Sequence, residues 1–212
     1  MADILIKRNE RAFFVGSTGS GKTTLAKSLL WNRPHVVVLD PKRKFTLPES
    51  WPYEQVIVES VKAANDITDE RTIIYRPSVD EMLDSCDNFF RWIFERENTL
   101  LFVDETMAVT PKRTRTGYWH GRCIQEGRER GIGMWHATQR PAAIPLNILT
   151  ESEHIFTFRL ANPADRKRMG DFGNVALATP VRTGDKNGFY YYNADSGRVQ
   201  YFRKANVGKA LS

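Results

Sequence analysis

Apolar runs of strand length alternate with segments of helical period along most of the chain. AFFVG (12–16) reads as a strand, and residues 22–32 as a helix with Leu25, Leu29 and Leu30 on one side. HVVVLD (35–40) is a β-branched run without polar alternation, the pattern of a strand buried on both faces, and Pro41 ends it. TLPESWPY (46–53) carries two prolines and reads as a loop, while QVIV (55–58) and TIIYRP (72–77) read as short strands. Ser78 and Glu81 form a capping box ahead of a helix whose Met82, Cys86, Phe89 and Ile93 recur at helical spacing, a core stripe. TLLFVDE (99–105) is the next buried strand, and the polar, basic stretch 106–117 shows neither period. A helix over 118–130, strands over 133–138 and 154–160 and a helix over 163–172 follow. FYYYNADSGRVQYF (189–202) differs in character: two alternating strands around an Asn-Ala-Asp-Ser-Gly turn predict a hairpin at one edge of the sheet.

This order predicts an α/β fold of three layers around a mainly parallel sheet, ending in a β-hairpin. With 212 residues the chain is expected to form a single domain over 1–212, its core over 12–175 and its hairpin over 187–203. Hydrophobic residues at 41% and charged residues at 26% exclude a disordered, collagen-like or coiled-coil chain. No run approaches the roughly 20 apolar residues that span a bilayer, so the expectation is a soluble, intracellular protein. Cys86 and Cys123 are too few for a disulfide framework, and His120 with Cys123 makes a poor zinc site without a second pair. The excess of 31 Lys+Arg over 25 Asp+Glu, a net charge of +6, bears on association and does not choose a partner.

Chemistry enters with Gly16-Ser17-Thr18-Gly19-Ser20-Gly21-Lys22-Thr23, which fits the phosphate-loop pattern G-x-x-x-x-G-K-[ST] between a strand and a helix. Its glycines let the backbone wrap a phosphate, and its N–H groups with the helix N-terminus supply positive charge, so residues 16–23 together with Thr24 are the candidate ATP-binding segment. Lys22 is placed to bridge the β- and γ-phosphates, and Thr23 to hold Mg²⁺. A Mg²⁺ site needs a second ligand at the end of a neighbouring apolar strand, and LLFVD supplies Asp104. Glu105 follows directly, placed to polarise a water for attack on the γ-phosphate, which points to hydrolysis; the alternative for Glu105 is a solvated loop acid. The strands at 35–40 and 72–76 lie in sequence between the loop and this acidic pair, leaving room for an inserted strand.

GIGMWHATQRPAAIP (131–145) narrows the reading. An apolar strand ending Ala-Thr-Gln-Arg-Pro resembles the FtsK/HerA superfamily of ring-forming DNA-translocating ATPases, P-loop NTPases of RecA-like (ASCE) fold. LDPKRK (39–44) looks like that superfamily's Asp-Pro-Lys signature, and EGRERGIG (126–133) like its helix carrying an arginine before a glycine-led strand. The resemblance spans roughly residues 12–160. It implies that Gln139 senses the γ-phosphate and that Arg128, with Arg130 as second choice, reaches the nucleotide of a neighbouring subunit in a homo-oligomeric ring, hexamer or pentamer. Arg159 resembles a further arginine near the subunit boundary. A bare core of this size looks most like the genome-packaging ATPases of tailless, internal-membrane viruses. That implies a double-stranded DNA substrate, capsid-vertex or membrane proteins of a virion as partners, and a place in the cytoplasm of an infected cell or at the packaging vertex.

For DNA contact the candidates are Lys112, Arg113 and Arg115, which follow the acidic pair directly; a solvated basic loop is the alternative. Arg166-Lys167-Arg168 sits on an expected helix facing solvent or a partner. Two other functions stay open: a conjugation or secretion motor acting on DNA or protein, and a small P-loop kinase. The kinase reading lacks support from Glu105 and from the Ala-Thr-Gln-Arg-Pro strand end.

Overall fold

The computed structural model describes residues 4–69, 71–110, 115–172, 174–179, 181, 185 and 187–203. In chain order the elements are β1 (Ala12–Val15), α1 (Lys22–Leu30), β2 (Val36–Leu39), β3 (Gln55–Val58), α2 (Val61–Asn65), β4 (Thr72–Tyr75), α3 (Val79–Arg96) and β5 (Leu100–Val103). Then come α4 (Thr106–Val109), α5 (Tyr118–Glu126), β6 (Gly133–Thr138), α6 (Leu146–Thr150), β7 (His154–Thr157), α7 (Pro163–Phe172), α8 (Val175–Ala178), β8 (Phe189–Asn193) and β9 (Arg198–Phe202).

The strands form one sheet in the order β3-β4-β2-β5-β6-β1-β7-β8-β9. Strands β1 to β7 pair in parallel, and β8 and β9 are antiparallel. The hairpin therefore extends one edge, as its alternating pattern predicts; Gly197 turns it at φ 64°, and Asn193 Oδ1 accepts from Ser196 N at 2.9 Å. The strand between β1 and β5 is β6, with Phe13 opposite His136 and Val103 opposite the same residue. The inserted strand thus comes from later in the chain and ends at Thr138, just before Gln139.

Central strands β1, β2, β5, β6 and β7 are buried at every position, which accounts for their lack of polar alternation. One face packs Phe13, Val15, Val37 and Leu101 against Phe89, Phe90 and Ile93 of α3, Cys123 and Ile124 of α5 and Ile148 of α6. The other packs Phe14, Phe102, Trp135 and Phe156 against Leu25, Leu29 and Leu30 of α1. Phe14 stacks on Phe156 with ring centroids 4.7 Å apart.

The proline-rich stretch 46–53 is a loop as expected, but it also completes this second layer. Trp51 is buried there and donates its Nε1 to Thr72 Oγ1 at 2.9 Å. The helix expected over 118–130 ends earlier, at Glu126, and tightens into a 3₁₀ turn over Gly127–Arg130. The chain must reverse there to enter β6. Ile132 N donates to Gly127 O at 2.8 Å, and a Cβ on Gly127 would come within 3.2 Å of Ile132 Cβ. The Glu81 half of the expected capping box lies outside the described side chains. No helix among the described residues is long and apolar enough to cross a membrane.

Candidate nucleotide site

Residues 16–21 leave β1 and turn into α1 against the ends of β6 and β7. Gly16 N donates to Thr138 O at 3.2 Å and Ser17 N to Arg159 O at 2.9 Å. A Cβ at Gly16 would lie 2.6 Å from Phe158 Cβ, and Gly21 adopts φ 104°, so these two positions require glycine. Gly21 caps α1 without a side-chain hydrogen bond, and no acidic residue sits in the first turn. The N-terminal N–H groups of α1 are thus not occupied by a side-chain cap or by a carboxylate of the helix's own first turn. Thr18, Gly19 and Thr24 are exposed, whereas Ser20 is buried beneath the loop.

Lys22 is buried and donates its Nζ to Gly16 O at 2.6 Å and Ser17 O at 3.1 Å. Burial holds its amine below the usual lysine range, opposed by the charges of Glu105 and Asp104. Thr23 Oγ1 donates to Asp104 Oδ1 at 2.8 Å. Burial raises the Asp104 carboxyl, Asp40 and Glu105 add to the rise, and the Thr23 hydrogen bond works against it. This paired hydroxyl and carboxylate is the hard oxygen donor set that Mg²⁺ takes, beside a phosphate cradle from which side chains are excluded. The residues present therefore fit Mg²⁺ with a nucleotide triphosphate.

Glu105 caps α4, and Thr106 ties that helix to the sheet by donating to Ala137 O at 2.8 Å. Gln139 leaves β6 beside it, with Nε2 3.4 Å from Glu105 Oε2 and Oε1 accepting from Thr18 Oγ1 at 2.7 Å. Lys42, from the Asp-Pro-Lys stretch, pairs with Glu105 Oε2. The structure thus brings Lys22, Thr23, Asp104, Glu105 and Gln139 to one end of the sheet, with Lys42 as an addition. The sequence signal for Lys42 was its motif, to which no single-residue role attached.

Arg128 and Arg130 lie elsewhere. They precede β6, whereas Gln139 follows it, so roughly 20 Å of parallel strand separates them from the phosphate loop. Half-exposed Arg128 pairs with Glu153 at 3.3 Å, and the backbone O of Arg128 accepts from Asn9 Nδ2 at 3.1 Å. Arg130 pairs with Glu97 at 2.5 Å and lies over the Phe94 ring. Neither reaches the nucleotide site of its own chain. Arg159 is exposed beside the phosphate loop, and Arg115 is exposed; Lys112 and Arg113 lie outside the described residues. Arg166 binds the carbonyls of Leu160 and Ala161, while Lys167 is exposed. His120 meets His136 at 2.9 Å and Cys123 donates its Sγ to Phe90 O at 3.2 Å, so this His and this Cys turn to different partners.

No model of a known protein family matches the chain. A stretch of 70 residues, 32% of this chain, is 33% identical to the DNA double-strand break repair helicase HerA of Sulfurisphaera tokodaii, and it takes in only 14% of that helicase. Among solved structures, the genome packaging NTPase B204 from Sulfolobus turreted icosahedral virus 2 superposes with a TM-score of 0.73 at 16% identity, over 93% of this chain and 98% of that one. The pCW3 conjugation coupling protein TcpA gives 0.62 at 15% identity, over 94% of this chain and 62% of that one. The fold is that of the P-loop ATPases, and the local sequence likeness is to HerA.

Proposed function

We propose that this chain, an FtsK/HerA-type P-loop ATPase core, hydrolyses ATP to move double-stranded DNA, and that it does so in packaging a viral genome into a preformed capsid. The observation that carries the ATPase reading is the convergence of Thr23–Asp104 and Glu105–Gln139–Thr18 on one phosphate loop. The packaging reading is supported by the likeness to B204 over nearly the whole of both chains.

In the proposed reaction the N–H groups of residues 16–23 and the Lys22 ammonium bind the phosphates, Lys22 leaving its loop carbonyls to do so. Thr23 and Asp104 would hold Mg²⁺, which would supply charge neutralisation for the phosphates. A water held by Glu105 attacks the γ-phosphorus as its bond to the bridging oxygen breaks. ADP leaves with that electron pair, and the water's proton passes to Glu105. Gln139, bonded to Thr18 and beside Glu105, reports the occupancy of the loop to the acid and to the residues after β6. Subunits arranged head-to-tail in a ring, pentamer or hexamer, bring Arg128 to the neighbouring nucleotide, and Lys112, Arg113 and Arg115 grip DNA phosphates in the channel. Such a motor works in the infected cell's cytoplasm or at the virion's packaging vertex, against capsid or membrane proteins.

Phosphate release with and without duplex DNA tests this. DNA is expected to raise the rate several-fold, and replacing Lys112, Arg113 and Arg115 by Ala to lower the ratio of stimulated to basal rate. A rate indifferent to DNA would sink the DNA-motor reading. A second reading, a conjugation-type coupling ATPase, draws on the likeness to TcpA. It predicts stimulation by a transfer protein and no association with purified virions.

A further inference from the structure

The end of β2 is built to present one lysine to Glu105. Asp40 is fully buried and its carboxylate is held at three points: Oδ1 accepts from Lys44 N at 3.1 Å, and Oδ2 accepts from Phe45 N at 2.9 Å and Arg76 Nε at 3.0 Å. Its carbonyl accepts from Arg43 N at 3.1 Å, and Arg76 also donates to Phe45 O at 2.8 Å. Pro41 restricts φ at the first position of this turn, and Arg43 takes the left-handed region at φ 56°. A turn tied at so many points fixes where Lys42 leaves the backbone. The Lys42 ammonium then meets Glu105 Oε2, the oxygen that Gln139 Nε2 approaches at 3.4 Å.

Glu105 Oε1 has a different environment. It is buried and has no hydrogen-bond partner among the described residues. A buried polar atom left without a partner costs about 1–3 kcal/mol, and native proteins retain few of them. One carboxylate oxygen is thus fixed from two sides and the other is left to a reacting group.

We propose that Lys42 is the positioning residue for Glu105: by holding Oε2 it leaves Oε1 as the oxygen that accepts the proton of the attacking water. The inference rests on the ATPase reading above. The oxygen of that water bonds to the γ-phosphorus, the bond from phosphorus to the β,γ-bridging oxygen breaks with its electron pair leaving on ADP, and the water's proton goes to Oε1. Lys42 touches neither the water nor the phosphorus in this step. The side chain of Lys42 is 46% exposed, so its replacement removes the ion pair without opening the core.

The test measures steady-state phosphate release and ATP binding by the full chain carrying Lys42→Ala, Lys42→Arg, Glu105→Gln or the first and third together. Lys42→Ala is expected to lower kcat at least about 10-fold with KM for ATP changed by less than about 3-fold, the split that marks an interaction made in the transition state. Lys42→Arg should restore most of the loss, since it returns the cation, and the double variant should be no slower than Glu105→Gln alone. Thermal unfolding of Lys42→Ala close to the unsubstituted protein excludes loss of fold as the cause. An unsubstituted chain that hydrolyses ATP while Lys42→Ala keeps its kcat within about 2-fold, or loses only in KM, overturns the Lys42 assignment alone. A chain that binds ATP and releases no phosphate overturns the ATPase reading, and this assignment with it.

Discussion

Thr18 donates its hydroxyl to Gln139 Oε1 at 2.7 Å, joining the phosphate loop to the end of β6. The other end of the same amide faces Glu105. One side chain therefore lies between the phosphate loop and Glu105, the acid proposed to activate water. Gln139→Ala should lower kcat about 10- to 100-fold, as loss of one preorganised donor does, while ATP affinity changes little. Thr18→Ala should do less, because Gln139 keeps its place beside Glu105. A Gln139→Ala protein with an unchanged kcat would remove the sensor role.

Thr23 and Asp104, the proposed Mg²⁺ ligands, share one hydrogen bond. Asp104→Asn and Thr23→Ala should each raise the Mg²⁺ concentration for half-maximal hydrolysis by about 10-fold or more, and chelation should stop the unsubstituted enzyme. Titrating Mg²⁺ at fixed ATP reads this directly. Coincident titration curves for all three proteins would place the metal elsewhere.

Arg128 is held by Glu153, but Glu153 is not held by Arg128 alone. Arg11 donates Nη2 to Glu153 Oε1 at 2.7 Å and its backbone N to Oε2 at 2.7 Å. Withdrawing Arg128 thus leaves no orphaned buried carboxylate, and Arg128→Ala should fold normally. Its hydrolysis should fall by up to ~10³-fold, the scale of a trans-acting arginine. Mixing it with Lys22→Ala should recover activity, because some interfaces then combine an intact loop with an intact arginine. If Arg128→Ala works at full rate while Lys22→Ala abolishes hydrolysis, the trans assignment fails.

His120 and His136 are buried against each other, and Phe90 stacks on His120. Burial lowers the His136 imidazole to about 3 and pushes His120 well below 6.5, the charge of His136 adding to the latter. Below pH 6.5 the unfolded chain binds protons that the folded one does not, so stability falls as pH drops through that value toward about 3. The His136 imidazole contributes a loss of about 2 kcal/mol by pH 5, a large part of a typical 5–15 kcal/mol, and His120 adds to it in the same direction. Urea unfolding at pH 7 and pH 5 measures the change, and His136→Gln should shrink it. Equal stabilities at the two pH values would contradict the buried, neutral pair.

Much of the site was legible because it is local. Gly16 to Thr23 carry their constraint in consecutive residues, and the unbroken apolar runs of β2 and β5 announce burial on both faces. What escaped depends on contacts distant in sequence. Val103 and Phe13 both neighbour His136, so β6 separates β1 from β5, the strands that lead to Lys22 and Asp104, and no periodicity in 133–138 says so. Lys42 gains its meaning only when the Asp40 turn meets the end of β5. The short helices α2, α4, α6 and α8 have four or five residues each, too few to display a period. Trp51 turns a loop into part of the core by burying one ring, which proline content does not reveal.

The hairpin has a practical consequence. Because β8 runs against β7 and β9 returns alongside it, Phe202 pairs with Phe189, which adjoins Phe158 at the phosphate-loop end of the sheet. Ala12 opens β1 at the far end, level with His154. A reporter on Arg203 would therefore sit at the phosphate-loop end of the sheet, and one on Lys7, which pairs with Glu10 near the start of β7, on the opposite rim. Two dyes attached in this way report the distance between the two rims of one chain.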